Sequence, residues 1–389
     1  MPGTLHRVTP PTGSTATSGT TETSTAPPPL STETRTETSP LVDAGPVVQL
    51  GKSGRWRNPH RKLPAIRWVV QLAYAAFCLL VGYEFYTFYA QIITEVPVTM
   101  RRPPAVEGFL PISALVALKR FLVTGRWDDV HPAGLVILAS AIGSAFLARK
   151  SFCSWICPGG TFSRVLETLG EKLLWRRRGF PRVPRWLDWP LLSVKYLLLA
   201  FFAKLVLWDM PAFALDAFVH SPYNVAADAK MLLFFFDLST TAIVVLVSLV
   251  VLSLVVKHFW CRYACPYGAL LGLASLVSPA RVVRDPESCN DCRACTRACP
   301  AEIPVHARGS VWTPECTGCM SCVAACKTPD TLTLVRRGRR GLSPWLVPAL
   351  GVGVLLVAWA VARLTGHWET VVPLDVFTDI YRNAGSFTH

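Results

Sequence analysis

The sequence predicts a mainly α membrane protein, with about five transmembrane helices and a small cysteine-rich α+β domain inserted between the fourth and fifth. Three observations carry that expectation. Apolar residues make up 51% of the 389-residue chain and fall in long runs, while the 39 Lys and Arg, against 25 Asp and Glu, gather at the ends of those runs. Eight of the thirteen cysteines stand in one doubled pattern between positions 289 and 326. Four more form a second, repeated pattern after two of the apolar runs. A basic chain this apolar suits a membrane better than a nucleic acid. Five apolar runs without a recognition-helix pattern exclude a nucleic-acid-linked sensor.

Residues 1–50, rich in Thr, Ser and Pro, lack the apolar surface that would offset ordering entropy, so disorder is expected there. The first 45 residues have no apolar core, and no cleavable signal peptide is expected. A basic collar from Lys52 to Arg67 introduces the first span, Pro64–Ala90. The second, Pro132–Ala148, runs into Arg149 and Lys150. The third, Trp189–Met210, follows Arg176, Arg177 and Arg178; the fourth, Phe236–Val256, returns to Lys257. The fifth, Pro344–Leu364, follows Arg336, Arg337, Arg339 and Arg340. Each run is close to the roughly 20 residues a bilayer requires. Five crossings put every basic cluster on one side, which the positive-inside tendency makes the cytoplasm. The N-terminus is then inside and the tail 365–389 outside. The apolar stretch Leu110–Leu122 is short and carries Lys119 and Arg120, so it is expected on the outer surface. Residues 64–278 thus form a membrane domain, 281–335 the inserted domain, and Cys78 packs within the first span.

The inserted domain contains Cys289-x-x-Cys292-x-x-Cys295-x-x-x-Cys299-Pro300 and then Cys316-x-x-Cys319-x-x-Cys322-x-x-x-Cys326. This is the cysteine run of two-cluster bacterial ferredoxins, in which three close thiolates hold one [4Fe–4S] cube and the fourth reaches the other. Cys289, Cys292, Cys295 and Cys326 are therefore assigned to cluster 1, and Cys316, Cys319, Cys322 and Cys299 to cluster 2. Zinc also takes paired Cys-x-x-Cys, but it has no use for the third and crossed fourth cysteine of each run. Lys327 follows Cys326 where the pattern has proline, which alters the polarity there and removes no ligand. Clusters need reduced thiols, and this again places the domain in the cytoplasm.

The second pattern is Cys-x-aromatic-x-Cys-Pro-x-Gly. It occurs at Cys153, Trp155, Cys157, Pro158 and Gly160, and again at Cys261, Tyr263, Cys265, Pro266 and Gly268. The copies are in register, since 261 − 153 and 265 − 157 both equal 108. A spacing of four places both sulfurs on one helical face, and Pro-x-Gly ends the turn. Three readings stand: a third metal centre, redox-active thiol pairs, or small apolar residues packing helix ends.

With these motifs the chain resembles the membrane polyferredoxins of the NapH and MauN type, relatives of NosR and CcoG. The likeness covers roughly residues 60–335 and rests on two Cys-x-x-x-Cys-Pro motifs after spans, followed by the two-cluster segment. It implies electron transfer at a bacterial inner membrane, quinol-linked, serving a partner redox enzyme as a quinol dehydrogenase-type component. NosR-like chains carry an external flavin domain and CcoG-like chains a folded external C-terminal domain. Only residues 365–389 follow the fifth span here, so the likeness is closest to NapH.

Exchange with quinone needs a proton-handling group inside a span, and ionisable residues there default to function. Glu84 and Lys204 lie at similar depths, roughly 22–26 Å from the inner side at about 1.5 Å per residue. They either serve the quinone or pair with one another to hold two helices together. His131, His220, Glu107 and Asp216 read as ordinary residues of the outer loops. The rival function is a maturation factor that reduces copper or a client enzyme. Copper would want soft ligands, and Met100, Met210, Met231, His131, His220 and His367 show no ligand spacing.

Overall fold

The computed structural model describes residues 57–176, 180–181, 183–336 and 339–386, so the expectation for residues 1–50 lies outside the described residues. The first helix, α1 (Leu63–Ile93), opens on Pro64, whose missing N–H costs nothing in a first turn. It spans 31 residues, about 46 Å at 1.5 Å per residue, more than the ~30 Å hydrocarbon core. After α2 (Pro111–Thr124) comes α3 (Pro132–Ala148), whose buried face is mostly Ala, Gly and Ser. Small residues let neighbouring backbones approach closely, and the last span packs along this face. A short α4 (Ser151–Trp155) and α5 (Pro158–Leu173) follow.

Next, α6 (Arg185–Ala203) continues as a π-helical segment, Lys204–Asp209. Trp186 and Trp189 are 77% and 76% exposed at one end, and Trp208 is 84% exposed at the other. The two girdles are about 20 residues, or about 30 Å, apart, as a bilayer's two interfaces would set them. There follow α7 (Ala212–Val219), α8 (Pro222–Val225) and α9 (Ala227–Phe236). The chain then bends by 82° into α10 (Thr240–Val255), where the Ser239 hydroxyl accepts the Ala242 N–H as N-cap. A second π-helical segment, Trp260–Ala264, leads to α11 (Pro266–Ser275).

The inserted domain is a four-stranded antiparallel sheet in the order β2-β1-β3-β4: β1 (Ala280–Arg284), β2 (Ser310–Val311), β3 (Leu332–Arg336) and β4 (Arg339–Leu342). Val282 pairs with both Val311 and Leu334, and all three are buried. Two single-turn helices, α12 (Ala294–Arg297) and α13 (Ser321–Ala324), carry Cys295 and Cys322. The last span, α14 (Leu346–Leu364), is followed by α15 (Leu374–Arg382).

Among the described residues, three helices are long and apolar enough to cross a membrane: Leu63–Ile93, Arg185–Asp209 and Leu346–Leu364. Counting the bent pair α9–α10 as one span makes four, and α3 is a shorter apolar helix of 17 residues. The protein is therefore a membrane protein, with three or four helices meeting the length criterion where the sequence suggested five.

Two separate cores form. One joins Trp155, Leu271 and Val347 of the membrane domain to Val282, Met320 and Leu334 of the inserted domain. The other, around Phe85, Phe88, Leu215 and Tyr381, joins α1 to α7 and α15. Stretch 110–122 falls in α2, whose two cations are both engaged. Lys119 donates to the Val206 and Met210 carbonyls at the end of the third span, a place where a cation meets the negative helix terminus. Arg120 pairs with Asp216 at 2.8 Å and donates to the Trp127 carbonyl.

Candidate iron–sulfur centres and the paired cysteine motif

The eight cysteines of the inserted domain repeat at a fixed interval, since 316 − 289, 319 − 292, 322 − 295 and 326 − 299 all equal 27. The backbone repeats with them. Asp291 and Gly318 have φ of 49° and 64°, and Arg293 and Met320 have φ of 57° and 55°, again 27 residues apart. Left-handed backbone between the cysteines is what turns each run into a loop around a common centre.

Cys289, Cys292, Cys295 and Cys326 line one cavity, about 310 Å³ including its mouth, beside Arg284 and His306. Its lining includes the exposed Asn290, next to the exposed Asp291. The other four gather deeper. Burial pushes the Cys299 thiol up to about 12, with Cys319 and Cys316 beside it. Burial also drives Cys322 well up, next to Cys319, Cys299 and Cys316. Cys319 is the exception: against the effect of burial, the Arg67 guanidinium and hydrogen bonds from Ser321 and Thr317 hold it below the usual thiol range. Among the described residues, no three His, Cys, Asp or Glu close on the position of a single metal ion. Tetrahedral zinc needs its sulfurs within about 2.3 Å of one point, whereas a cube keeps its thiolates around a volume. The first set surrounds such a volume.

The second set sits against the membrane domain. The Ser154 hydroxyl donates to the Thr317 carbonyl (2.7 Å) and the Trp155 indole N–H to the Gly318 carbonyl (3.3 Å). Gly318 is required here: its φ is 64°, and a Cβ would lie 2.9 Å from the Ala148 carbonyl oxygen. On the other side Arg67 donates to the Ser321 hydroxyl (3.1 Å).

The paired motif is built as a pseudo-twofold. The helix following each copy packs on the helix preceding the other, α5 on α10 and α11 on α3. This exchange brings Cys153, Cys157, Cys261 and Cys265 together, and each thiol feels the others: Cys153 is raised well above the thiol range by burial, then by Cys157, Cys265 and Cys261. Burial pushes Cys157 up to about 11 and Cys261 up to about 12. Cys157 and Cys265 are the N-caps of the Pro-led helices α5 and α11, and the Gly268 N–H points at Cys265 Sγ (3.3 Å). A helix N-terminus favours a thiolate, but here it only opposes burial, which raises both the Cys157 and the Cys265 thiol. Gly160 makes the first turn possible, since a Cβ there would lie 2.2 Å from the Cys153 carbonyl oxygen. A cavity between the motif and the inserted domain is lined by Cys153 and Cys261 together with Arg67, Lys150, Arg164 and Arg262.

Glu84 and Lys204 do not meet. Glu84 is exposed on α1, and Lys204, 69% exposed, pairs with Asp209 at 2.7 Å. His220 and Asp216 are surface residues. Cys78 is half-buried in α1. Glu107 and His131, by contrast, are fully buried in a network that the sequence reading missed. Arg102 donates to Glu107 (2.7 Å), to Asp228 (2.7 Å) and to His131 Nδ1 (3.1 Å), and the Tyr381 hydroxyl donates to Asp228 (2.7 Å). Its members come from four separate segments, and only an apolar neighbourhood around single charges hinted at it.

A membrane-embedded bundle that carries a doubled ferredoxin cysteine pattern defines an iron–sulfur electron-transfer protein. Its likenesses agree. The family described as a 4Fe-4S dicluster domain matches residues 281–327, and the 4Fe-4S binding domain matches residues 130–181 and 238–283, each containing one copy of the paired motif. The chain is 40% identical over 343 residues to the Putative electron transport protein YccM of Escherichia coli strain K12, covering 86% of this chain and 93% of that protein. It is 29% identical over 210 residues to the Ferredoxin-type protein NapH of Haemophilus influenzae, covering 50% of this chain and 67% of that one. It is 28% identical over 246 residues to Protein NirI of Paracoccus denitrificans, covering 61% of this chain and 34% of that one. No solved structure matches. The chain belongs to the membrane polyferredoxin-type family.

Proposed function

We propose that the protein exchanges electrons between the quinone pool and a partner redox protein, with three cysteine sets as successive holding sites. The observation that carries this reading is their order. The paired motif lies at the ends of the apolar helices, the Cys299, Cys316, Cys319 and Cys322 set lies against it, and the Cys289, Cys292, Cys295 and Cys326 set opens toward solvent. When bound, iron–sulfur centres supply one-electron storage at potentials that their surroundings set. The chain supplies the rest. The two ferredoxin sets each offer four thiols for a [4Fe–4S] cluster, and left-handed residues turn their loops. The paired motif offers four further thiols, two at helix N-termini, for a third centre or a dithiol relay.

In this reading the chain crosses the plasma membrane five times, with the bent α9–α10 and the short α3 among the spans. The basic clusters and the ferredoxin domain face the cytoplasm and α15 lies outside. The exposed Asn290 and its neighbour Asp291 are where the partner meets cluster 1. Glu84 and Lys204, each on its own span surface, are the proton-handling candidates for quinone.

The test is Cys265→Ser. It removes the sulfur at the α11 N-terminus and leaves all eight ferredoxin cysteines in place. Reduction by a quinol should be lost while dithionite still reduces both clusters, as followed at the cluster absorbance in stopped flow. Equal quinol rates in wild type and variant would reduce the motif to helix packing.

A further inference from the structure

Around the junction of the paired motif and the second ferredoxin set stand four buried cations: Arg67, Arg149, Lys150 and Arg164, with exposures of 6%, 1%, 3% and 8%. Among the described residues, none of them has a carboxylate oxygen within the 4.0 Å of an ion pair. The nearby acids are taken, Glu315 by Lys195 and Tyr196, and Glu167 by His258. Arg149 is a strut, held by the Ser275, Val311 and Thr313 carbonyls. Arg164 donates to the Gln71 side chain and lies 4.3 Å over the Trp68 ring. Arg67 is the one that donates to the loop carrying Cys319 and Cys322. Its one side-chain hydrogen bond goes to Ser321, its buried Nε has no partner, and it lines the cavity shared with Cys153 and Cys261. A buried guanidinium with nothing opposite is costly, and proteins keep one where an anion compensates it. Thiolate-ligated iron–sulfur centres are such anions, and Cys319 is the thiol on which Arg67 acts.

We infer that Arg67 is a positioning residue whose charge sets the reduction potential of the centre held by Cys299, Cys316, Cys319 and Cys322. The inference rests on the ligand assignment proposed above. An added electron makes that centre more negative, so a fixed neighbouring cation stabilises the reduced form, and net charge and hydrogen bonding are what tune such potentials. Arg67 stands between this centre and the paired motif, and thus raises the affinity for an electron at the point where the motif would pass it on.

The experiment is a redox titration of the full-length anaerobic protein, followed by EPR. The signal of this centre is the one absent from Cys322→Ala. In Arg67→Gln the iron content should be unchanged, while the reduced-to-oxidised ratio of that signal at a fixed poise falls at least tenfold. That corresponds to about 59 mV for a one-electron couple. The other signal should move less, and Arg67→Lys should restore most of the ratio. An assembled Arg67→Gln protein with an unmoved midpoint overturns the inference, as does an equal shift of both signals. If Arg67→Gln loses iron, Arg67→Lys decides. A centre assembled at the wild-type midpoint supports the role of charge; a lost or displaced one makes Arg67 structural and ends the proposal. If wild type shows no signal that Cys322→Ala removes, the failure lies in the ligand assignment.

Discussion

Replacing Cys319 with alanine is expected to cut the cluster 1 site off from the paired motif. Cys319 is buried at the contact between the inserted domain and the bundle, beside Arg67 and one residue from Gly318, which packs on the Ala148 carbonyl. Losing one of four thiols removes the holding site between the other two cysteine sets. Quinol should then leave cluster 1 oxidised, while a water-soluble reductant still reaches that set, whose cavity is lined by the exposed Asn290. Iron should fall by about half of the ferredoxin complement. Quinol-driven bleaching that persists at the wild-type rate would show that electrons enter the distal set by another route.

The second large effect lies at the opposite end of the bundle. Asp228 is fully buried, accepts from Arg102, Tyr381 and its own neighbour Ala229, and joins α9 to α15. Asp228→Asn keeps the shape and removes the charge. Arg102 then keeps only Glu107 as an anionic partner, with His131 presenting a ring nitrogen. Breaking a buried ion pair from one side costs about 3–5 kcal/mol. The expected result is a lowered thermal unfolding midpoint in detergent, with the C-terminal helix released first to limited proteolysis. An unchanged midpoint and cleavage pattern would show that the network contributes no net stability.

What a one-dimensional reading can see follows from how far apart the interacting residues lie. The spans at α1, α6 and α14 announce themselves because lipid asks only for an unbroken apolar stretch. The cysteine sets are legible because the spacings of 27 and 108 are properties of the chain itself. The fourth span illustrates the limit. The apolar stretch is read as one span from Phe236, yet the chain turns by 82° between α9 and α10, at Asp237 and Ser239, where Ser239 supplies the cap of α10. Charges mislead in a similar way. Lys119 and Arg120 look like breaks in an apolar stretch, yet each is bound to groups nearly a hundred residues away. Glu107, His131 and Asp228 look like isolated loop residues because Arg102, which joins them, lies in a different segment from His131 and Asp228. Glu84 and Lys204 were matched by depth alone. Depth says nothing about azimuth: both are exposed, and Lys204 pairs with Asp209 instead.

The central claim is that the inserted domain holds iron–sulfur clusters, and the most direct measurement is the metal and acid-labile sulfide content of the anaerobically purified full-length chain. Two cubes predict about eight iron and about eight sulfide from the ferredoxin cysteines, with more if the paired motif also binds iron. Cys292→Ala should remove about four of each. Zinc in place of iron, with no labile sulfide, would contradict the account.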